Sequence, residues 1–166
     1  AETGFALQTG LAPGFINILA HALYKDFQAA HGSDQLEYMG MKVGALTQNA
    51  AAPHFYGFTW SPVGVATEYV KDAIAVRNYE TVKIQALSEL ETIIIDGTSY
   101  EVDLTSGGAA DLPQAFAGKI KDLDYKTIRF PGHYGWAKGI LEAHGDKAQD
   151  ERIQALQNEM EANVPH

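Results

Sequence analysis

The sequence has 166 residues and a mass of 18.0 kDa, with 46% hydrophobic and 20% charged residues. Such a chain can bury ~70% of its unfolded surface in one core and is too apolar for a disordered polymer. Twelve Lys and Arg against 21 Asp and Glu give a net charge of −9, which argues against nucleic-acid binding. The absence of cysteine excludes a disulfide framework, a thiolate zinc site and a cysteine nucleophile, and fits a cytoplasmic setting. The apolar run from Phe15 to Ala22 is far short of a membrane span, so no membrane partner is expected either.

Gly10-Leu-Ala-Pro-Gly14 reads as a turn, with Pro13 fixing φ and Gly14 free to take a positive one. Phe15, Ile18, Leu19, Ala22, Leu23 and Phe27 then recur at helical spacing and predict an amphipathic helix from 15 to about 30, ended by His31-Gly32. Residues 35–46 alternate imperfectly through Leu36, Tyr38, Met41 and Val43 and predict a strand. A small, polar stretch from Thr47 to Gly57 reads as a loop. Ser61-Pro62 has the form of a helix cap followed by the first helical residue, opening a helix through Tyr69-Val70.

From Ala73 to Leu104 the pattern changes to strands: Ile74–Val76, Thr81–Ile84, Thr92–Ile95 and Ser99–Val102. Asp96-Gly97 between the last two predicts a hairpin. A flexible Thr105-Ser-Gly-Gly108 turn, a short helix around Asp111 to Phe116 and a strand from Tyr125 to Phe130 follow. Two helices close the chain, about 133–143 and 147–162, the second with Ile153, Leu156 and Met160 on one stripe. This order is not a regular strand–helix alternation. It predicts an α+β domain whose mixed, largely antiparallel sheet has helices packed on one face. The ends, Ala1-Glu2-Thr3 without methionine and Val164-Pro165-His166 just after a helix, suggest a single domain excised from a longer chain.

Several familiar chemistries are absent. None of the 16 glycines forms Gly-x-Gly, so neither a dinucleotide fingerprint nor a phosphate-cradling loop is present. The six histidines form no i, i+4 pair, and no metal site is expected. What remains are polar loops. Thr105-Ser106 offer two hydroxyls beside a glycine pair, either as a plain turn or as a place of close ligand approach. Arg129 alternates with Ile128 and Phe130, which puts Arg129 and Thr127 on the opposite strand face from both. It reads as a solvated or salt-bridged residue, or as a planar fork for a substrate carboxylate. His133, at a helix start, reads equally as cap or ligand contact. Trp60 and Phe58 read as core in preference to a binding platform, Glu89 and Glu91 flank Leu90 on one strand face with nothing to show them paired, and 146–161 reads as a solvated helix face.

Five segments, Gly10–Asn17, Phe58–Ser61, Ala86–Thr92, Thr105–Gly108 and Lys126–His133, together resemble the second domain of saccharopine dehydrogenase-type oxidoreductases. The resemblance runs in order from about residue 5 to 141. It implies an amino-terminal Rossmann domain binding NAD(P) outside this sequence, with no cofactor bound by this chain alone. It implies a homodimer interface on this domain, and hydride transfer at a C–N bond of a small, amino-acid-derived substrate. It also implies a cleft lined by Leu11, Pro13 and Gly14 toward the cofactor. Asn49, Trp60, Thr105, Ser106, Arg129 and His133 would face the substrate, with the catalytic residues unknown. One position departs. Where fungal saccharopine-forming enzymes carry an arginine after Trp-Ser, this chain reads Ser61-Pro62-Val63-Gly64, which leaves a related imine or amino-acid substrate open. The alternative is a non-catalytic ligand-binding or assembly domain with the same fold.

Overall fold

The structure is a computed structural model and describes Gly4 and residues 7–164. The elements run α1 (Phe15–His31), β1 (Leu36–Val43), α2 (Pro62–Val70), β2 (Ala73–Arg77), β3 (Glu80–Ile84), β4 (Glu91–Ile95), β5 (Thr98–Leu104), α3 (Leu112–Phe116), β6 (Ile120–Arg129), α4 (His133–Ala143) and α5 (Gln149–Asn163). Strand order is β3-β2-β6-β5-β4, with β1 also pairing with β6. Registers place Val76 opposite Leu123, Ile93 opposite Tyr100 and Val102 opposite Ile128, all antiparallel. The fold is therefore α+β with an open six-stranded antiparallel sheet.

Local chemistry sets most of these boundaries. Ser61 caps α2 by accepting the Gly64 N–H at 3.4 Å, and Pro62 occupies the first helical position where no N–H is needed. Asp96 and Gly97 take φ of 49° and 78° between Ile95 and its partner Thr98. That two-residue turn has the handedness matching strand twist. The Tyr125–Phe130 strand begins earlier than its sequence suggests, at Ile120. Its added half carries Lys121, Asp122 and Asp124, charged residues that do not announce a buried strand. Yet Asp124 is buried against Arg77 at 3.0 Å and accepts the Tyr38 hydroxyl at 2.9 Å, so its charge is satisfied in place.

The chain divides into two compact units. The first comprises the described residues through Val43 with Ile74–Lys83 and Gly107–Tyr125, around a core of Ala20, Tyr24, Met39, Met41, Phe116, Ile120 and Leu123. In α1 the expected stripe is not the buried one. Phe15, Ile18, Leu19 and Leu23 are exposed, while Ala20 and Tyr24 are buried. Tyr24 decides the helix orientation, packing edge-on to Phe116 at 4.8 Å and donating its hydroxyl to Asp34 O at 2.7 Å. Likewise β1 buries Met39 and Met41 and exposes Tyr38.

The second unit comprises Gly44–Ala73, Ile84–Ser106 and the described residues from Lys126 onward. Helices α2, α4 and α5 supply its core through Val65, Tyr69, Tyr134, Ala137, Leu141, Ile153, Leu156 and Met160. Glu89 and Glu91, for which the sequence shows no pairing, both engage Lys126, a residue only 1% exposed. No described helix is long and apolar enough to cross a membrane.

Candidate functional site

In the second unit, β6 ends on Arg129 and α4 starts at His133, so one short connection places a guanidinium and an imidazole near the same tyrosine. Arg129 is 3% exposed; the strand face it shares with Thr127 is the more buried one, and Ile128 and Phe130 are only half-buried. Its Nε–H donates to Tyr69 Oη at 2.8 Å and its Nη1 to Ile128 O at 3.2 Å. The guanidinium lies 4.7 Å from the Tyr56 ring centroid and 5.9 Å from that of Tyr69, a cation–π cage in a dry setting. Among the described residues no carboxylate lies within 4.0 Å of it and no hydrogen bond reaches Nη2.

The donor directions in this cluster are fixed. A guanidinium only donates and a carbonyl only accepts, so Tyr69 accepts from Arg129 and donates its own O–H to His133 Nε2 at 2.9 Å. His133 Nδ1–H in turn donates to His54 O at 2.6 Å. His133 is fully buried; burial first, then the Arg129 charge, lowers its pKa to about 3. It is a neutral imidazole at any physiological pH. Burial also pushes the Tyr69 phenol up to about 12 and Glu68, half-buried next to it on α2, up to about 7, the latter opposed by Arg129. The Tyr56 hydroxyl is buried with no hydrogen-bond partner among the described residues.

The residues singled out from sequence fall into distinct settings. Thr105 is buried and shares a hydroxyl–hydroxyl hydrogen bond of 2.7 Å with Thr127, two residues from Arg129. Ser106 is half-buried and ties its N–H to Glu68 O at 3.0 Å. Trp60, assigned to the core by its pattern, is instead 49% exposed with its ring against Gly64; Phe58 does pack on the core. Asn49 is exposed and held only by its own loop, its N–H donating to Thr47 Oγ1 at 3.1 Å. Tyr56, Glu68, Tyr69 and His54 carry no site signal in the sequence, although each sits on or beside a segment that does.

Leu11, Pro13 and Gly14 belong to the first unit. Gly14 has φ 143°, and a Cβ there would lie 2.1 Å from Gly10 O. The turn demands glycine for its own closure. Its N–H donates to Asn17 Oδ1 at 2.6 Å, and Asn17 Nδ2 donates to Gly108 O and Ala109 O. The N–H groups of Phe15, Ile16, Asn17 and Ile18 are all spent on Gly10, Leu11 or Gly14 carbonyls. The start of α1 therefore has no free amide to offer a phosphate. A dinucleotide pyrophosphate does not fit this turn; Leu11, 52% exposed, offers only apolar surface.

Residues 10–160 match the family described as saccharopine dehydrogenase C-terminal domain. The chain belongs to that family. Among solved structures it is similar to apo histidine-tagged saccharopine dehydrogenase (L-Glu forming) from Saccharomyces cerevisiae, with a TM-score of 0.59 and 15% identity. The match covers 80% of this chain and 32% of that one. At this identity the likeness shows the fold, and the chain corresponds to under a third of that enzyme. As a C-terminal domain of a saccharopine dehydrogenase-type protein, it carries the Arg129 cluster on the strand–helix junction of its second unit. Among the described residues no group of three or more His, Cys, Asp or Glu is placed to hold a metal.

Proposed function

We infer that this chain is the substrate-binding and dimerisation domain of an NAD(P)-dependent, saccharopine dehydrogenase-like oxidoreductase acting on a C–N bond of an amino-acid-derived substrate. The carrying observation is Arg129: a buried guanidinium with no carboxylate partner among the described residues. An unpaired buried charge is costly, and most buried charges are matched. A substrate carboxylate is the partner its free Nη2 edge suits, with the Tyr56 hydroxyl as a second donor. Tyr69 and His133 position the fork and do not touch the substrate. On this reading Thr105, hydrogen-bonded to Thr127 two residues before Arg129, and Ser106 lie beside the substrate. With Val63 standing where the fungal pattern has arginine, Arg129 is on this reading the carboxylate-recognising group of the domain.

Nicotinamide binding and the hydride-transfer groups reside, on this reading, in a Rossmann domain of the same protein, with Leu11 and Pro13 giving at most an apolar contact to the cofactor. The exposed Phe15, Ile18 and Leu23 of α1 and, separately, the outer edge of β4, last in the strand order among the described residues and with Ile94 75% exposed, support a homodimer. The test is Arg129→Lys in the full-length protein, assayed by NAD- or NADP-linked oxidation of a secondary-amine amino acid that the parent turns over, saccharopine being the first tried. Lysine keeps the charge but loses the planar fork. The expected loss in kcat/KM is about 10–100-fold, equivalent to about 1.5–3 kcal/mol for a hydrogen-bonded charge. Unchanged kcat/KM together with lower thermal stability would make Arg129 a structural residue and remove the site.

A further inference from the structure

The second unit contains a cavity of about 540 Å³ between the α2 end, the β3–β4 connection, α4 and α5. That volume lies inside the ~300–1,000 Å³ typical of small-molecule sites, but its charged and amide lining calls for a polar occupant. Asp72, Gln85, Lys138, Glu142, Gln149 and Arg152 line it. Lys138 is committed, its ammonium 2.9 Å from the fully buried Asp103 carboxylate. Arg152 is not: its Nε–H is buried with no hydrogen-bond partner among the described residues, and no carboxylate lies within 4.0 Å. In a chain of net charge −9, an arginine left without a carboxylate is conspicuous. Asp72 and Glu142, both exposed, contribute unpaired negative charge to the same lining.

We propose that this cavity, whose lining shares Tyr69 but neither Arg129 nor His133 with the Arg129 cluster, is a second small-molecule site that takes a free α-amino acid as its zwitterion. The carboxylate pairs with Arg152, whose fork otherwise leaves a buried donor unsatisfied. The ammonium faces Asp72 and Glu142, and the two glutamine amides suit a polar side chain. Neither a simple anion nor a simple cation satisfies both sets of charges.

The test uses L-glutamine, acetate and methylammonium as separate titrants of the full-length protein, followed by the backbone amide shifts of Gln85, Gln149 and Arg152. L-glutamine is expected to saturate these shifts at low-millimolar concentration or below. Acetate and methylammonium should each bind at least ~10-fold more weakly, since each makes only half of the charge-assisted contacts. Arg152→Gln should weaken L-glutamine at least ~10-fold, and Arg129→Lys should leave it unchanged. Asp72→Asn, at an exposed position that does not threaten folding, should weaken L-glutamine several-fold and leave acetate alone. Absence of saturable L-glutamine binding overturns the proposal. So does equal affinity in Arg152→Gln, or loss of these shifts in Arg129→Lys, which would place the ligand at the other cluster.

Discussion

Removing one oxygen tests the Arg129 cluster directly. Tyr69→Phe deletes the hydroxyl that accepts from Arg129 at 2.8 Å and donates to His133 at 2.9 Å, while leaving a ring of the same shape between them. The lost hydrogen bond from a charged donor is worth about 1.5–3 kcal/mol, and the bond to the neutral imidazole about 0.5–1.5 kcal/mol. The two losses share one atom and do not simply add, so a destabilisation of about 2–4 kcal/mol is expected. For a domain of this size that corresponds to a fall in Tm of about 5–15 °C. Urea denaturation at pH 7, followed by fluorescence of Trp60 and Trp136, measures it. Tyr134→Phe is the comparison, since it removes a hydrogen bond to the Thr127 carbonyl that involves no charge, and it should cost only about 1 kcal/mol. A Tyr69→Phe cost below ~0.5 kcal/mol would mean that water replaces the hydroxyl freely. The guanidinium would then be hydrated, and its lack of a carboxylate would carry no functional meaning.

Glu68→Gln should alter the pH dependence of stability. Glu68 has its pKa raised from 4.5 to about 7, mainly by burial, so the fold holds that proton more tightly than the unfolded chain does; this contribution is present below pH 4.5 and lost as pH rises through 7. Relative to the parent, Glu68→Gln should be nearly neutral at pH 4.5 and stabilising at pH 8 by at most ~3 kcal/mol, reduced by the partial solvation of the side chain; an opposite trend in urea midpoints refutes the assignment. His133, held near 3, acts with the opposite sign, contributing stability above pH 6.5 that is lost as pH falls toward 3, and cancels in this difference. Gly97→Ala meets open space but keeps φ 78° and should cost about 1–2 kcal/mol. Gly14→Ala adds a 2.1 Å backbone clash to its positive φ and should exceed it clearly, by more than ~1 kcal/mol; equal costs in thermal denaturation would show that the Gly10–Gly14 turn is not built as described.

The fold was largely legible because most of its boundaries are set by short-range chemistry. Ser61-Pro62 and Asp96-Gly97 each name their own backbone geometry, and the structure uses both. The stripe on α1 misled because helical periodicity reports which residues are apolar and not which of several apolar faces meets a core. Six apolar side chains recur there, and a seventh residue, Tyr24, wins the burial through a hydroxyl bond and a ring contact made with segments 10 and 92 residues away. The first half of β6 was hidden for the converse reason. Its charged residues look solvated until Arg77, 47 positions distant, supplies the counter-charge for Asp124.

The candidate site shows the same divide more sharply. Alternation correctly separated Arg129 and Thr127 from Ile128 and Phe130, since side-chain period is a local property of a strand. Which face is buried is not local, and here the polar face is the more buried one. A guanidinium tolerates that position because two tyrosine rings and one phenol oxygen surround it. Those groups come from residues 56 and 69, and nothing in the sequence near 129 announces them. The same cage that makes the charge affordable offers it no carboxylate. A structural arginine in a core is ordinarily balanced within the fold, whereas Arg129 is left with neutral neighbours and a half-buried Glu68 whose own pKa is pushed up to about 7. Because burial outweighs the attraction of Arg129 in setting that pKa, Glu68 is a poor counter-ion near neutral pH. Among the described residues that leaves Arg129 with at most a partly ionised counter-charge near neutral pH, which is why the proposed reading seeks its partner in a substrate carboxylate.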